Sequence, residues 1–234
     1  MKTNAQSQTA ATSQSPHFRL DGSGIELVRG QTQVFTGLDF SVNSGEILVL
    51  RGPNGSGKSS LLRAIAGFLP LNMGKINCNG MPFDAQRHKN KHASLRCLWY
   101  ALADGLTEAL TGLDNLSLLP QVAGKASIET QLSRHDPFGV ASFLHQPVRR
   151  LSTGQRQRVA LTRLCFAPSA KCLWLLDEPN SGLDSASHKA FESVLATHQE
   201  AGGLCVLASH QPLDSCLKPC YLDLSDKMRC DDGR

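Results

Sequence analysis

An apolar run, Gly45-Glu46-Ile47-Leu48-Val49-Leu50, leads within two residues into Gly52-Pro53-Asn54-Gly55-Ser56-Gly57-Lys58-Ser59, and a helical pattern begins directly behind it. This junction constrains the fold more than any other stretch of the chain. Gly52, Gly55 and Gly57 let the backbone turn where a Cβ would be strained, so that successive N–H groups can face one small volume. A helix starting there adds its unpaired N-terminal donors and the positive end of its dipole. Such a cradle suits an anion, and the strand–loop–helix order calls for an α/β core. Lys58 has the reach to meet β- and γ-phosphates, and the Ser59 hydroxyl is a candidate Mg²⁺ ligand. The candidate nucleotide-binding residues here are Gly52, Pro53, Asn54, Gly55, Ser56, Gly57, Lys58, Ser59 and Ser60.

A second apolar strand, Cys172 to Leu176, ends at Asp177-Glu178. Neighbouring strand residues point to opposite sides. One carboxylate can therefore hold the hydration shell of Mg²⁺ (Asp177) while the next (Glu178) faces the γ-phosphate and polarises an attacking water. Upstream lies Leu151-Ser152-Thr153-Gly154-Gln155, where Ser152 or Thr153 is expected to cap a helix running on through Leu164. Downstream come Ser181-Gly182-Leu183-Asp184 and, after the apolar strand Leu204 to Ala208, Ser209-His210-Gln211.

Taken in this order, the five motifs resemble the nucleotide-binding subunits of ATP-binding cassette (ABC) transporters, and the resemblance spans nearly the whole chain. The usual Leu-Ser-Gly-Gly-Gln signature has Thr153 in its third place here. The resemblance implies a P-loop NTPase of the ABC ATPase type: an α/β RecA-like core, an antiparallel β subdomain and a helical subdomain. It implies ATP and Mg²⁺ as ligands, Glu178 as base and His210 as the switch histidine. It further implies that Ser152, Gly154, Gln155 and Asp184 serve the nucleotide of a second copy, in a homodimer with two ATP·Mg sandwiched between glycine loop and signature. Arg156 and Arg158 could add positive field there, though a basic helix face accounts for them more simply.

Two features of that family are missing. The stretch where an aromatic residue usually stacks on adenine reads Val28-Arg29-Gly30, and Arg29 can substitute only through a cation–π contact. Where a Gln usually relays nucleotide state, the chain has Ala103; Gln121 lies too far along to replace it. Single-copy ATP chemistry therefore reads as intact, while base stacking and signal relay do not.

Within the family, Gly57 to Arg63, Leu98-Trp99 and Ser209-His210-Gln211-Pro212-Leu213 resemble the ATPase subunits of the haem exporters used in cytochrome c maturation. That implies membrane-embedded partner subunits and a haem chaperone pathway. It also implies a peripheral position on the cytoplasmic face of a bacterial inner membrane, or on the matrix face in an organelle. Other small transporter ATPases, for import or lipoprotein release, and a binding-only regulatory cassette are the alternatives.

The remaining composition agrees. The 234 residues suffice for one large α/β domain, with no apolar stretch of about 18 residues to span a bilayer. A net charge of +4 is too small to suggest a nucleic-acid partner. The eight cysteines are scattered without a Cys-x-x-Cys pair, which points to buried thiols in a reducing compartment. His88 and His92 have a metal-pair spacing but sit among Arg87, Lys89 and Lys91, which would repel a cation. Residues 1–17, rich in Ser, Thr and Gln, are expected to be a disordered tail; the scarcity of arginine argues against a presequence. Residues 18–234 are expected to form a single domain, with a helical subdomain at about 98–150.

Overall fold

The computed structural model describes residues 18–83, 95–100, 105–119, 122–167 and 171–225. The N-terminal segment, His88, His92, Ala103 and Gln121 lie outside the described residues.

Two sheets of different kind share one core. The first begins with β1 (Arg19–Arg29) and β2 (Thr32–Asn43), an antiparallel hairpin that turns at Gly30. β1 also pairs with β4 (Met73–Cys78), and β4 with β5 (Met81–Pro82), giving the order β2-β1-β4-β5. The sequence suggests two short strands at Val34-Phe35 and Leu38 to Val42, yet both belong to β2. Between Ile25 and Leu27 the partners step from Leu38 to Phe35, so β2 carries one extra residue, and Gly37 (φ 59°) absorbs it as a bulge. Gly24 (φ 58°) does the same for β1 between Gly22 and Ile25.

The second sheet is parallel: β6 (Arg96–Tyr100), β7 (Cys172–Asp177), β8 (Leu204–Ala208), β3 (Ile47–Arg51) and β9 (Cys220–Asp223), side by side in that order. Its central strands are apolar throughout because both faces are covered. Leu173, Leu175, Leu204 and Val206 face α1 (Lys58–Ile65) and the antiparallel sheet, while Trp174, Leu176, Cys205 and Leu207 lie in the core formed with the remaining helices.

Those helices are α2 (Gly112–Ser117), α3 (Lys125–Arg134), α4 (Thr153–Phe166) and α5 (Ser185–Glu200). The boundary expected at residue 98 needs correction: Leu98, Trp99 and Tyr100 pair with Trp174, Leu175 and Leu176 as strand β6. The helix-like pattern from Leu106 to Leu119 also shortens to six residues. Thr111 and Asp114 form a reciprocal capping box that starts α2 only at Gly112. Among the described residues no helix is long and apolar enough to cross a membrane.

Register in the parallel sheet positions everything that follows. Leu50 of β3 aligns with Ala208 of β8, and Ala208 with Asp177 of β7. Three loops therefore leave the same edge together: one after β3, one after β7 and one after β8. The carboxyl edge of a parallel sheet is where α/β proteins hold ligands.

Candidate active site

The loop after β3 needs its glycines for separate reasons. Gly52 (φ 139°), Gly55 (φ 87°) and Gly57 (φ 91°) all take backbone angles that other residues rarely adopt. A Cβ on Gly52 would stand 2.6 Å from Ser56 Oγ, and one on Gly57 only 2.4 Å from Val34 Cγ1. Gly57 is the N-cap of α1 and supplies no side-chain cap, which leaves the first helical N–H groups facing the loop. Lys58, buried beneath the loop, donates to the carbonyls of Gly52 (2.8 Å) and Pro53 (3.1 Å). Ser56 Oγ is buried without a hydrogen-bond partner among the described residues, an unmet polar atom inside an anion-shaped turn.

The next residue ties two loops together. Ser59 Oγ donates to Asp177 Oδ1 at 2.9 Å. This joins the start of α1 to the end of β7 and leaves two hard oxygen donors side by side, the kind of ligand that Mg²⁺ takes. Glu178 then turns the chain with φ 51°, unusual for a residue with a side chain, while its N–H donates to Ala208 O at 3.0 Å. That turn brings Glu178 Oε1 to 3.3 Å from Nε2 of His210, itself half exposed. Oε1 is buried and makes no hydrogen bond of good geometry among the described residues, which leaves it an acceptor to offer.

These groups surround a cavity of about 480 Å³. It is lined by Asn54, Gly55, Gly57, Lys58, Ser59 and Ser60 of the glycine loop and α1, by Glu178 and His210, and by Arg29, Thr32 and Val34 of the β1–β2 hairpin, with Val34 packed against Gly57. Gly52, Pro53 and Ser56 support the loop from below, and Asp177 stands behind Ser59.

Ser152, Gly154, Gln155 and Asp184 do not line this cavity. Ser152 is the N-cap of α4: its hydroxyl accepts from Gln155 N–H at 3.2 Å, and Gln155 Oε1 accepts from Ser152 N–H at 2.9 Å. Asp184 caps α5, accepting from Ser187 N–H at 2.7 Å, and the Ser187 hydrogen bonds hold its carboxyl below the usual range. Gly154 has open space where a Cβ would stand. Among the described residues nothing stands where a Cβ at that position would go. Arg156 bonds Val148 O and Glu108, and Arg158 bonds Phe138 O, so both basic residues brace the helical region.

Two residues that motif spacing did not single out, Gln157 and Asn180, connect these pieces. Gln157 Nε2, on α4, donates to Pro179 O (3.0 Å) and Ser181 O (2.5 Å). Between those carbonyls Asn180 is fully buried, and its Oδ1 accepts from Ser209 Oγ at 2.9 Å. Ser209 Oγ in turn accepts from Gln211 N–H at 3.0 Å, folding the loop that presents His210. No periodicity marks Gln157 or Asn180, because their partners are backbone and side-chain atoms of loops.

Residues 35–181 match the ABC transporter family, and the chain belongs to that family. It is an ATP-binding cassette, an ATPase. It is similar to the cytochrome c biogenesis ATP-binding export protein CcmA of Pseudomonas putida KT2440, with 38% identity over 197 residues, 84% of this chain and 91% of the relative. CcmA of Paramagnetospirillum magneticum AMB-1 shares 42% over 199 residues, 81% of this chain and 87% of the relative. Among solved structures, an ABC transporter ATP-binding protein of Pyrococcus furiosus superposes with a TM-score of 0.71 at 22% identity, covering 90% of this chain and all of that one. The cbiO1 subunit of Clostridium perfringens superposes with a TM-score of 0.64 at 22% identity, covering 87% of this chain and 83% of that one. Cassettes of this family work as dimers with membrane subunits.

Proposed function

We propose that this chain is the ATP-hydrolysing subunit of a haem exporter serving cytochrome c maturation. The observation that carries the chemistry is the convergence of Ser59–Asp177 and Glu178–His210 on one cavity above the glycine loop. The cargo is suggested by the CcmA relatives, which cover most of the chain.

The loop N–H groups and the α1 terminus bind the phosphates, and Lys58 shifts from the Gly52 and Pro53 carbonyls to the β- and γ-phosphate oxygens. Ser59 and Asp177 would hold Mg²⁺, which when bound would neutralise charge developing on the phosphates. Glu178 accepts a hydrogen bond from the attacking water and orients it, and His210, beside Glu178, donates to the γ-phosphate. Ser152, Gly154, Gln155 and Asp184 serve the nucleotide of a second copy, since the exposed backbone at Gly154 leaves room for a phosphate to approach. The dimer sits on two membrane subunits at the cytoplasmic face, and its closing and opening drive haem transfer to, or release of, a haem chaperone.

Replacing Glu178 with Gln tests this reading. Turnover should fall at least about a hundredfold while ATP still binds and holds the chain as a dimer. Unchanged turnover would remove Glu178 from the reaction.

A further inference from the structure

The loop that carries His210 is fastened at both ends to one face of α5. At its start, Ser209 Oγ donates to Oδ1 of the fully buried Asn180 at 2.9 Å, and Asn180 Nδ2 lies 3.4 Å from Nε2 of His188. At its far end, Asp214 N–H donates to Glu192 Oε1 at 2.7 Å. His188 and Glu192 stand one helical turn apart, and Glu192 Oε2 is 3.6 Å from His188 Nδ1, with both side chains largely buried. Neither residue belongs to the five motifs, and neither lines the nucleotide cavity.

The protons of this chain run one way. A carboxylate only accepts, so the imidazole proton sits on Nδ1, facing Glu192, and Nε2 keeps its lone pair toward Asn180. Asn180 then presents its amino group to His188 and its carbonyl oxygen to Ser209. Ser209 gives its hydroxyl proton to that oxygen and accepts from Gln211 N–H at 3.0 Å. A second setting is close at hand, because Ser209 Oγ also stands 3.1 Å from Gln211 O. Without an acceptor at residue 188, the buried amino group of Asn180 loses its partner there, which is costly. Turning that group to Ser209 relieves the cost and sends the Ser209 proton to Gln211 O. The reversal changes the contacts that fix the backbone on either side of His210.

Resting on the assignment of His210 to the γ-phosphate, we propose that His188 is a positioning residue for ATP hydrolysis. As a neutral ring protonated on Nδ1, it fixes the sense of the Asn180–Ser209 hydrogen bond and so the placement of His210.

The test is a double-mutant cycle on the purified full chain, measuring steady-state ATP turnover with Mg²⁺ and, alongside it, ADP affinity. His188→Ala should lower kcat by about tenfold and leave the KM for ATP and the Kd for ADP within about twofold, since the glycine loop and Lys58 still hold the phosphates. His188→Gln, which carries one acceptor and one donor group, should recover most of the loss. In a chain already changed by His210→Ala, His188→Ala should lower turnover no further. Nitrogen-15 NMR of the native chain in alkaline buffer should show His188 with a protonated Nδ1 and a bare Nε2. If His188→Ala fails to fold, the NMR signature and the Gln variant decide. Native kcat in His188→Ala, an equal loss in both backgrounds, or a His188 proton on Nε2 overturns the proposal. A His210→Ala chain that turns over ATP at the native rate sinks the assignment of His210 itself, a result that none of the His188 arms can produce.

Discussion

Ser59 and Asp177 stand 118 residues apart in the chain and share a hydrogen bond of 2.9 Å at the carboxyl edge of the parallel sheet. The bond crosses from the first turn of α1 to the last residue of β7, and β8 lies between β7 and β3. An Asp177→Asn variant keeps the shape and loses the charge. Its Mg²⁺ requirement for ATP turnover should rise by about tenfold or more, read from the titration midpoint, with little change in melting temperature. An unchanged midpoint would leave Asp177 as a structural acceptor only.

Gly57 and Gly154 are predicted to behave oppositely when changed to Ala. At Gly57 the added Cβ meets Val34 Cγ1 at 2.4 Å and the backbone has φ 91°, so the loop must distort. Nucleotide binding should be lost, with stability lowered by about 1–3 kcal/mol. At Gly154 the space is open and Ala favours a helix, so thermal stability should hold or rise by up to about 1 kcal/mol. ATP-dependent dimerisation and turnover should nevertheless fall. A Gly154→Ala chain with full turnover would show that no phosphate approaches that backbone.

Gln157 ties the helix that starts at Ser152 to the loop that follows Glu178 through two carbonyls, those of Pro179 and Ser181. Glu at this position has the same size but cannot donate when ionised. Gln157→Glu should cost about 1–3 kcal/mol in denaturant unfolding and slow turnover at saturating ATP. Gln157→Lys, which can donate to both carbonyls, should recover most of both. If Glu and Lys behave alike, the two hydrogen bonds carry no weight.

His198 gives the fold a pH dependence remote from the cavity. Its ring stacks on Trp174 at 3.7 Å, its Nε2 lies 3.0 Å from Leu204 O, and burial pushes its pKa down to about 4, with the Leu204 contact opposing that shift. The unfolded chain binds this proton below about pH 6.5 while the folded chain refuses it until about pH 4. Stability is therefore fully present above pH 6.5 and falls by on the order of 3 kcal/mol as pH drops through that window. Melting temperatures of the native chain and of His198→Asn, measured from pH 7.5 to 4, should diverge across it. Parallel curves would contradict the assignment.

The strand–glycine loop–helix order, the apolar strand ending in Asp177-Glu178 and a helix cap at Ser152 or Thr153 were legible because each is local. Backbone freedom, burial and capping act over a few residues and leave marks at fixed spacing. The same locality explains the failures. β1 and β2 carry no clean alternation, since bulges at Gly24 and Gly37 shift their period, and the pattern before α2 reads as helix although the Thr111–Asp114 box starts it late. Family resemblance linked Ser152, Gly154 and Asp184 to phosphate across a dimer. Within one chain, Ser152 and Asp184 are spent on helix caps.

What this sequence determined by itself was the chemistry available at each loop: a glycine cradle with its lysine, a pair of carboxylates, a histidine after a buried strand. Only the tertiary structure decided which of these meet. Strand order in a parallel sheet depends on side-chain packing over both faces, and that packing sets Leu50, Ala208 and Asp177 in register. Hydrogen bonds such as those of Gln157, Asn180 and Ser209 then form between loops that share no sequence neighbourhood, so no spacing along the chain could announce them.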